Sequence, residues 1–133
     1  MGAIDLKSNI DITVSIPRAV VTSSPSAGTA ADVSGYHSVC FVVDSASWVD
    51  GTATYAFQES DDNSTFTAIA DADLDGTEPV ISSDATGDSV QYKVGYKGNK
   101  KYVRAVNTIT GSPSTGINSG AYILKGNPKD LPA

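Results

Sequence analysis

Apolar and polar residues alternate along much of this 133-residue chain with a period of two, the spacing of half-buried strands. The clearest run is Ile10-Asp11-Ile12-Thr13-Val14-Ser15-Ile16, which puts Ile10, Ile12, Val14 and Ile16 on one face. Pro17 is expected to close it, since proline has no N–H to give to a ladder. Residues 22–35 are small and polar, include Pro25 and Gly28, and read as a mobile connection. Val39-Cys40-Phe41-Val42-Val43 is continuously apolar, the pattern of a strand buried on both faces. Ala53, Tyr55 and Phe57 share one face of the next alternating run, which ends in the polar hairpin connection Ser60-Asp61-Asp62-Asn63-Ser64. Val90, Tyr92, Val94 and Tyr96 alternate up to a Gly98-Asn99 turn. After it, Val103, Ala105 and Ile109 lie opposite Tyr102, Arg104 and Val106. A Gly111 to Gly116 loop leads to a last strand at Ala121-Tyr122-Ile123-Leu124.

Seven or eight short strands separated by Gly, Pro, Asn and Asp turns predict an all-β fold. The expected form is a single β-sandwich, jelly-roll-like or immunoglobulin-like, with an extended N-terminal arm. Composition agrees, because Leu occurs four times and Glu twice, which removes the residues that favour helices. The expected division is an arm or first strand with its flexible connection over 1–32, the sandwich over 33–126, and a tail over 127–133. Residues 10–16 have two possible uses: adding a strand to a neighbour, or forming the first strand of their own sheet. No apolar run approaches the about 18 residues of a membrane-spanning helix, and the first residues lack a secretory pattern, so a soluble single domain with no membrane partner is expected.

The formal charge is −6, with fourteen acidic and two basic groups before residue 91 and seven basic and one acidic group after it. An acidic chain repels nucleic acid, so no nucleic-acid partner is expected. The basic residues Lys93, Lys97, Lys100, Lys101 and Arg104 are expected to face acids on neighbouring strands or to keep strand edges soluble. A further use is to guide subunits together. Asp71-Ala72-Asp73-Leu74-Asp75-Gly76 resembles half of a calcium loop, but Ser82 stands where the bidentate acid belongs, so it reads as an acidic turn. Cys40 reads as an inert core thiol, and its spacing from His37 puts the two on opposite faces of a strand. Trp48 and the tyrosines read as core in preference to a sugar platform. No triad, dyad or ligand set emerges, so neither enzymatic activity nor a metal or other cofactor is expected.

Read in order, several segments resemble a family of small proteins encoded beside the major capsid gene in tailed bacteriophages. They are Gln58 to Phe66, Asp73 to Thr77, Val94 to Val106 and Leu124 to Pro128. The resemblance covers most of residues 33–128 and involves turns and strands, none of them catalytic. It implies a capsid decoration, or cement, protein: a β-sandwich on the exterior of the virion that bridges neighbouring copies of the major capsid protein, made in the bacterial host cytoplasm. A homo-oligomer, dimer or trimer, is compatible with it. Ile10, Ile12, Val14, Ile16, Lys97, Lys100 and Lys101 are the expected capsid or subunit contacts. A carbohydrate-binding sandwich, adhesive or tail-associated, is the alternative.

Overall fold

Two antiparallel sheets face one another in the computed structural model, which describes residues 6–129. The first sheet has the order β1 (Ile10–Val21), β10 (Ile117–Pro128), β3 (Tyr36–Trp48), β8 (Val90–Tyr96) and β6 (Leu74–Asp75). The second runs β2 (Ala31–Asp32), β9 (Tyr102–Thr110), β4 (Thr52–Ser60) and β5 (Thr67–Ala68), with β7 (Val80–Ile81) also on β4. Helix is limited to two 3-10 turns and one α-turn, α1 (Asp84–Gly87), among the described residues. The fold is therefore the expected all-β sandwich. The first five residues of the expected arm, and the tail from residue 130, lie outside the described residues.

Alternation builds the core as the sequence pattern requires. Phe41, Val43, Val94 and Ile123 of the first sheet meet Ala53, Tyr55, Phe57, Val103 and Ala105 of the second, all essentially inaccessible to water. Phe41 stacks on Phe57 with ring centroids 4.0 Å apart, and Tyr96 meets Phe41 edge-on at 6.2 Å. The buried Tyr55 hydroxyl bonds the Ser119 hydroxyl at 2.6 Å, and burial pushes the Tyr55 pKa up to about 12, so it stays neutral.

The N-terminal segment takes the second of its two expected uses, the first strand of its own sheet, and departs from expectation only in its faces and its length. Residues 10–16 belong to this molecule's own sheet, paired with β10, and form its outer strand. Pairing joins Val14 to Tyr122 and Ile16 to Ala121, which leaves Ser15 as an extra residue in a β-bulge. One extra residue turns every later side chain to the other face. Ile10, Ile12 and Val14 therefore face outward, whereas Ile16 turns into the core at 5% exposure. Pro17 does not end the strand either. It falls in a second irregularity between Ile16 and Ala19, where no ladder bond is asked of it, and pairing resumes to Val21. Gly120 permits the close approach there, since a Cβ on it would lie 2.7 Å from the Arg18 backbone.

Ser15 also joins the two sheets. Its hydroxyl accepts the Ala105 N–H at 3.0 Å and donates to the Thr29 carbonyl at 3.0 Å, while its own carbonyl accepts the Thr29 N–H at 2.7 Å. Gly28 donates to the Ala105 carbonyl at 2.8 Å, and a Cβ there would overlap the Ser15 hydroxyl. The segment expected to be a mobile connection is thus pinned beside β9. The Ile109 N–H reaches Ser24 Oγ at 2.8 Å, Ala31 pairs with Val103, and the Val33 N–H reaches the Lys101 carbonyl at 2.8 Å.

Aspartates lock the turns, both between the sheets and within a hairpin. Asp50, between β3 and β4, accepts the N–H groups of Gly116, Ser114 and Thr115 at 2.6, 2.7 and 3.1 Å, and the Ser114 hydroxyl at 3.0 Å. Asp62 does the same within the β4–β5 hairpin, accepting the Ser64 and Thr65 N–H groups, both at 2.9 Å. The Gly116 N–H first, then the Ser114 N–H, hold the Asp50 carboxyl below the usual carboxylate range. A carboxyl depressed in the folded state stabilises the protein above its unfolded pKa of about 3.9, and that stabilisation is lost as pH falls through the depressed value. Asp50→Asn is therefore expected to be less stable than wild type at pH 7. The gap should shrink in denaturant titrations repeated at falling pH below about 4; a gap independent of pH would contradict the anchoring role of the carboxylate.

Candidate functional site

The bulge at Ser15 leaves a continuous apolar face on the outside of the first sheet. Cross-strand register aligns Ile12 with Leu124 and Cys40, and Val14 with Tyr122 and Val42. Ile10 extends the stripe beside Gly126. Ile12 is 57% and Val14 46% exposed, and together with Val42, Tyr122 and Leu124 they line a shallow hollow with an apolar surface. A second, separate hollow at the start of β1 is lined by Leu6, Lys7, Ile10, Asp11 and Ile12. On the upper side an ionic row closes the apolar face: Arg18 Nη1 lies 3.2 Å from Asp44 Oδ2, and Gln91 Nε2 donates to Asp44 Oδ1 at 2.9 Å.

Two expectations about β3 change accordingly. Its central run is buried on one face only, through Phe41 and Val43, while Cys40 and Val42 line the open face half-buried. Cys40 is therefore a surface-layer thiol rather than a core one, and partial burial pushes its pKa up. His37 lies on the opposite side of the strand, as its spacing implies.

The inner side of the same strand end holds β1 in place. Lys125 of β10 is 6% exposed, yet its Nζ is 2.8 Å from Asp11 Oδ2, donates to Thr13 Oγ1 at 3.0 Å, and sits 5.4 Å from the Tyr36 ring centroid. A buried ammonium is tolerable only with such partners.

The expected lysines do not join this face. Lys97, Lys100 and Lys101 lie between β8 and β9, three strand spacings from β1, or ~14 Å. Lys100 Nζ is 2.9 Å from Asp61 Oδ2, and this pairing raises its pKa; Lys101 Nζ lies 5.4 Å from the Tyr102 ring centroid. Arg104 stacks over Phe66 at 3.9 Å and donates to Gln58. Of the five basic residues, Lys100 alone pairs with an acid, Lys101 lies by the ring of its own neighbour, Arg104 meets a ring and an amide, and Lys93 and Lys97 stay exposed. Nor do the aromatics form one platform. Trp48 packs against the core with its Nε1 donating to the Gly51 carbonyl at 2.8 Å, whereas Tyr122 and Tyr102 belong to different sheets. Asp71 and Asp73 sit in a 3-10 turn ahead of β6. Among the described residues no group of three His, Cys, Asp or Glu side chains is arranged to hold a metal ion.

Tyr122, Leu124, Val42 and Cys40 are the site residues that sequence reasoning missed. Their alternation within β10 and β3 was visible, but nothing local says which face another layer covers. The chain matches no known family pattern, and no curated protein or solved structure is significantly similar to it.

The inside-out assignment of β1 is directly testable by chemical denaturation. Ile16→Ala should cost about 2–5 kcal/mol as a core truncation, whereas Ile12→Thr or Val14→Thr should change stability by about 0.5 kcal/mol or less. Equal losses at all three positions would contradict the bulge.

Proposed function

We propose that this protein is a structural subunit that binds the outside of a tailed-phage head and bridges neighbouring major capsid protein subunits. It docks through the outer face of β1, β10 and β3. The observation that carries the proposal is the apolar face around Ile12, Val14, Val42, Tyr122 and Leu124, left open on a sandwich whose turns are otherwise tied down. Exposed apolar patches rimmed by polar groups mark interaction surfaces. The family-like segments support the same reading in a different way. They correspond to the β4–β5 hairpin closed by Asp62, the β6 region, the crossing from β8 in the first sheet to β9 in the second, and the end of β10.

Energetics suit a repetitive partner. Fully burying one Ile or Val side chain is worth about 1.5–3 kcal/mol, so a patch of this size gives a modest single contact. Bridging two capsid neighbours at once converts the second contact into an intramolecular one and raises the overall affinity. Occupancy at 100 times the dissociation constant adds about 2.7 kcal/mol per site against disassembly. Lys97 and Lys101, exposed at the same end as Ile10, contribute long-range attraction that salt screens over about 8–10 Å.

Heads of the parent phage prepared without this protein provide the test. Purified protein should bind them and raise the temperature at which they release DNA. The exposed-face double variant Ile12→Lys/Val14→Lys should keep its circular dichroism spectrum and lose that binding. Charge reversal at Lys97 and Lys101 should weaken binding at low salt more than at high salt. Protein that never binds heads, or a double variant that binds as wild type does, would overturn the proposal.

A further inference from the structure

The edge of β1, as distinct from its face, carries a second inference. Among the described residues no strand pairs with its outer side. In an antiparallel strand alternate residues turn both N–H and C=O away from the existing neighbour, so this side offers unpaired main-chain groups. The open stretch is short and sharply bounded. Asn9 already donates its N–H to the Leu6 carbonyl in a 3-10 turn, the Ser15 carbonyl is taken by Thr29, and Pro17 has no N–H. What remains is Ile10-Asp11-Ile12-Thr13-Val14.

We propose that this five-residue edge pairs with the same edge of a second copy, antiparallel, about a two-fold axis through Ile12. The string is self-complementary in that register. Ile12 faces its own copy, Ile10 faces the partner's Val14, and Asp11 faces the partner's Thr13. Apolar residues thus meet apolar residues on the outer face, and no like charges stand directly opposite each other. Asp11 is already neutralised by Lys125 on the inner face. The separate hollow at the start of β1, lined by Leu6, Lys7, Ile10, Asp11 and Ile12, receives the partner's Val14.

The other end of the same sheet explains why the contact closes instead of growing into a filament. Its edge strand, β6, has two residues and stands among Asp71, Asp73 and Asp75, while the neighbouring edge of the second sheet carries Asp61 and Asp62 beside β5. Short, charged edges are poor templates for strand addition, so a β1-to-β6 contact between copies is disfavoured and the two-fold one is left. An axis normal to the sheet puts both apolar faces on the same side, doubling the platform. The pairing does not depend on a phage shell, so its failure and the failure of the proposed function are separable.

Sedimentation equilibrium of the full chain across a wide concentration series, without heads present, reads the oligomeric state. The expected result is a reversible monomer–dimer equilibrium with a limiting mass twice 13.7 kDa. Ile12→Lys places two ammonium groups on the axis and should weaken dimerisation about tenfold or more. In a Cys40→Ser background, Ile12→Cys should form a disulfide-linked dimer under mild oxidation, whereas Val42→Cys, in the middle of the face, should not. A chain that stays monomeric, including one whose edge is reserved for a capsid strand or for its own terminal residues, overturns the proposal. So does a dimer that survives Ile12→Lys, or one that cross-links through Val42→Cys and not Ile12→Cys, which is the mark of face-to-face packing.

Discussion

The Ser15 hydroxyl, accepting the Ala105 N–H and donating to the Thr29 carbonyl, fixes the one extra residue of β1 between the two sheets. Most of what is distinctive in the molecule depends on that bulge. Side-chain direction in a regular strand alternates strictly, so without a bulge at Ser15 the residues on either side of it, Val14 and Ile16, would share one face. With it, Ile16 fills the core while Ile12 and Val14 stand in water. The cost of leaving either Ser15 partner unmade, about 1–3 kcal/mol for a buried polar group, keeps the bulge from sliding.

Everything around β1 reinforces the same arrangement. Asp11 and Thr13 hold the Lys125 ammonium from the inner side, which fixes the register of β1 on β10 at its exposed end. Gly28 lets the following segment pass close against Ser15 and Ala105, covering the gap between sheets that a side chain would force open. At the far end Asp50 gathers the Ser114 to Gly116 backbone, so the β3–β4 and β9–β10 turns behave as one unit. The result is a sandwich whose edges differ. One is short and surrounded by aspartates; the other is apolar on its outer face and, among the described residues, unpaired along its edge from Ile10 to Val14. Proteins commonly blunt their sheet edges with charge, bulges or shortness. An edge left without such protection over five residues is where a partner is expected.

The sequence pattern foretold the sandwich and the inner faces of β4, β8 and β9, because alternation of Ala53, Tyr55 and Phe57 or of Val94 and Tyr96 maps directly onto a covered face. It also put Ile10, Ile12 and Val14 together. It could not say that their face is the open one, or that Ile16 leaves them, since a serine in a strand carries no local mark of a bulge. Periodicity likewise made Cys40 and Val42 look buried, because coverage of a face is decided by a second layer far away in the chain. Residues 22–35 looked mobile from their side chains, yet they are pinned through main-chain N–H and C=O groups that every residue possesses. Nothing local marks the role of Asp50, because the N–H groups it accepts lie more than sixty residues downstream.

If the outer face of β1, β10 and β3 is the docking surface, covalent side-chain footprinting of free and head-bound protein reads it out most directly. Labelling at Ile12, Val14, Tyr122 and Leu124 should fall on binding, while labelling at Phe66 and Tyr102 on the second sheet should not change. Protection at Phe66 and Tyr102 with Ile12 and Val14 still labelled would contradict the assignment of the face.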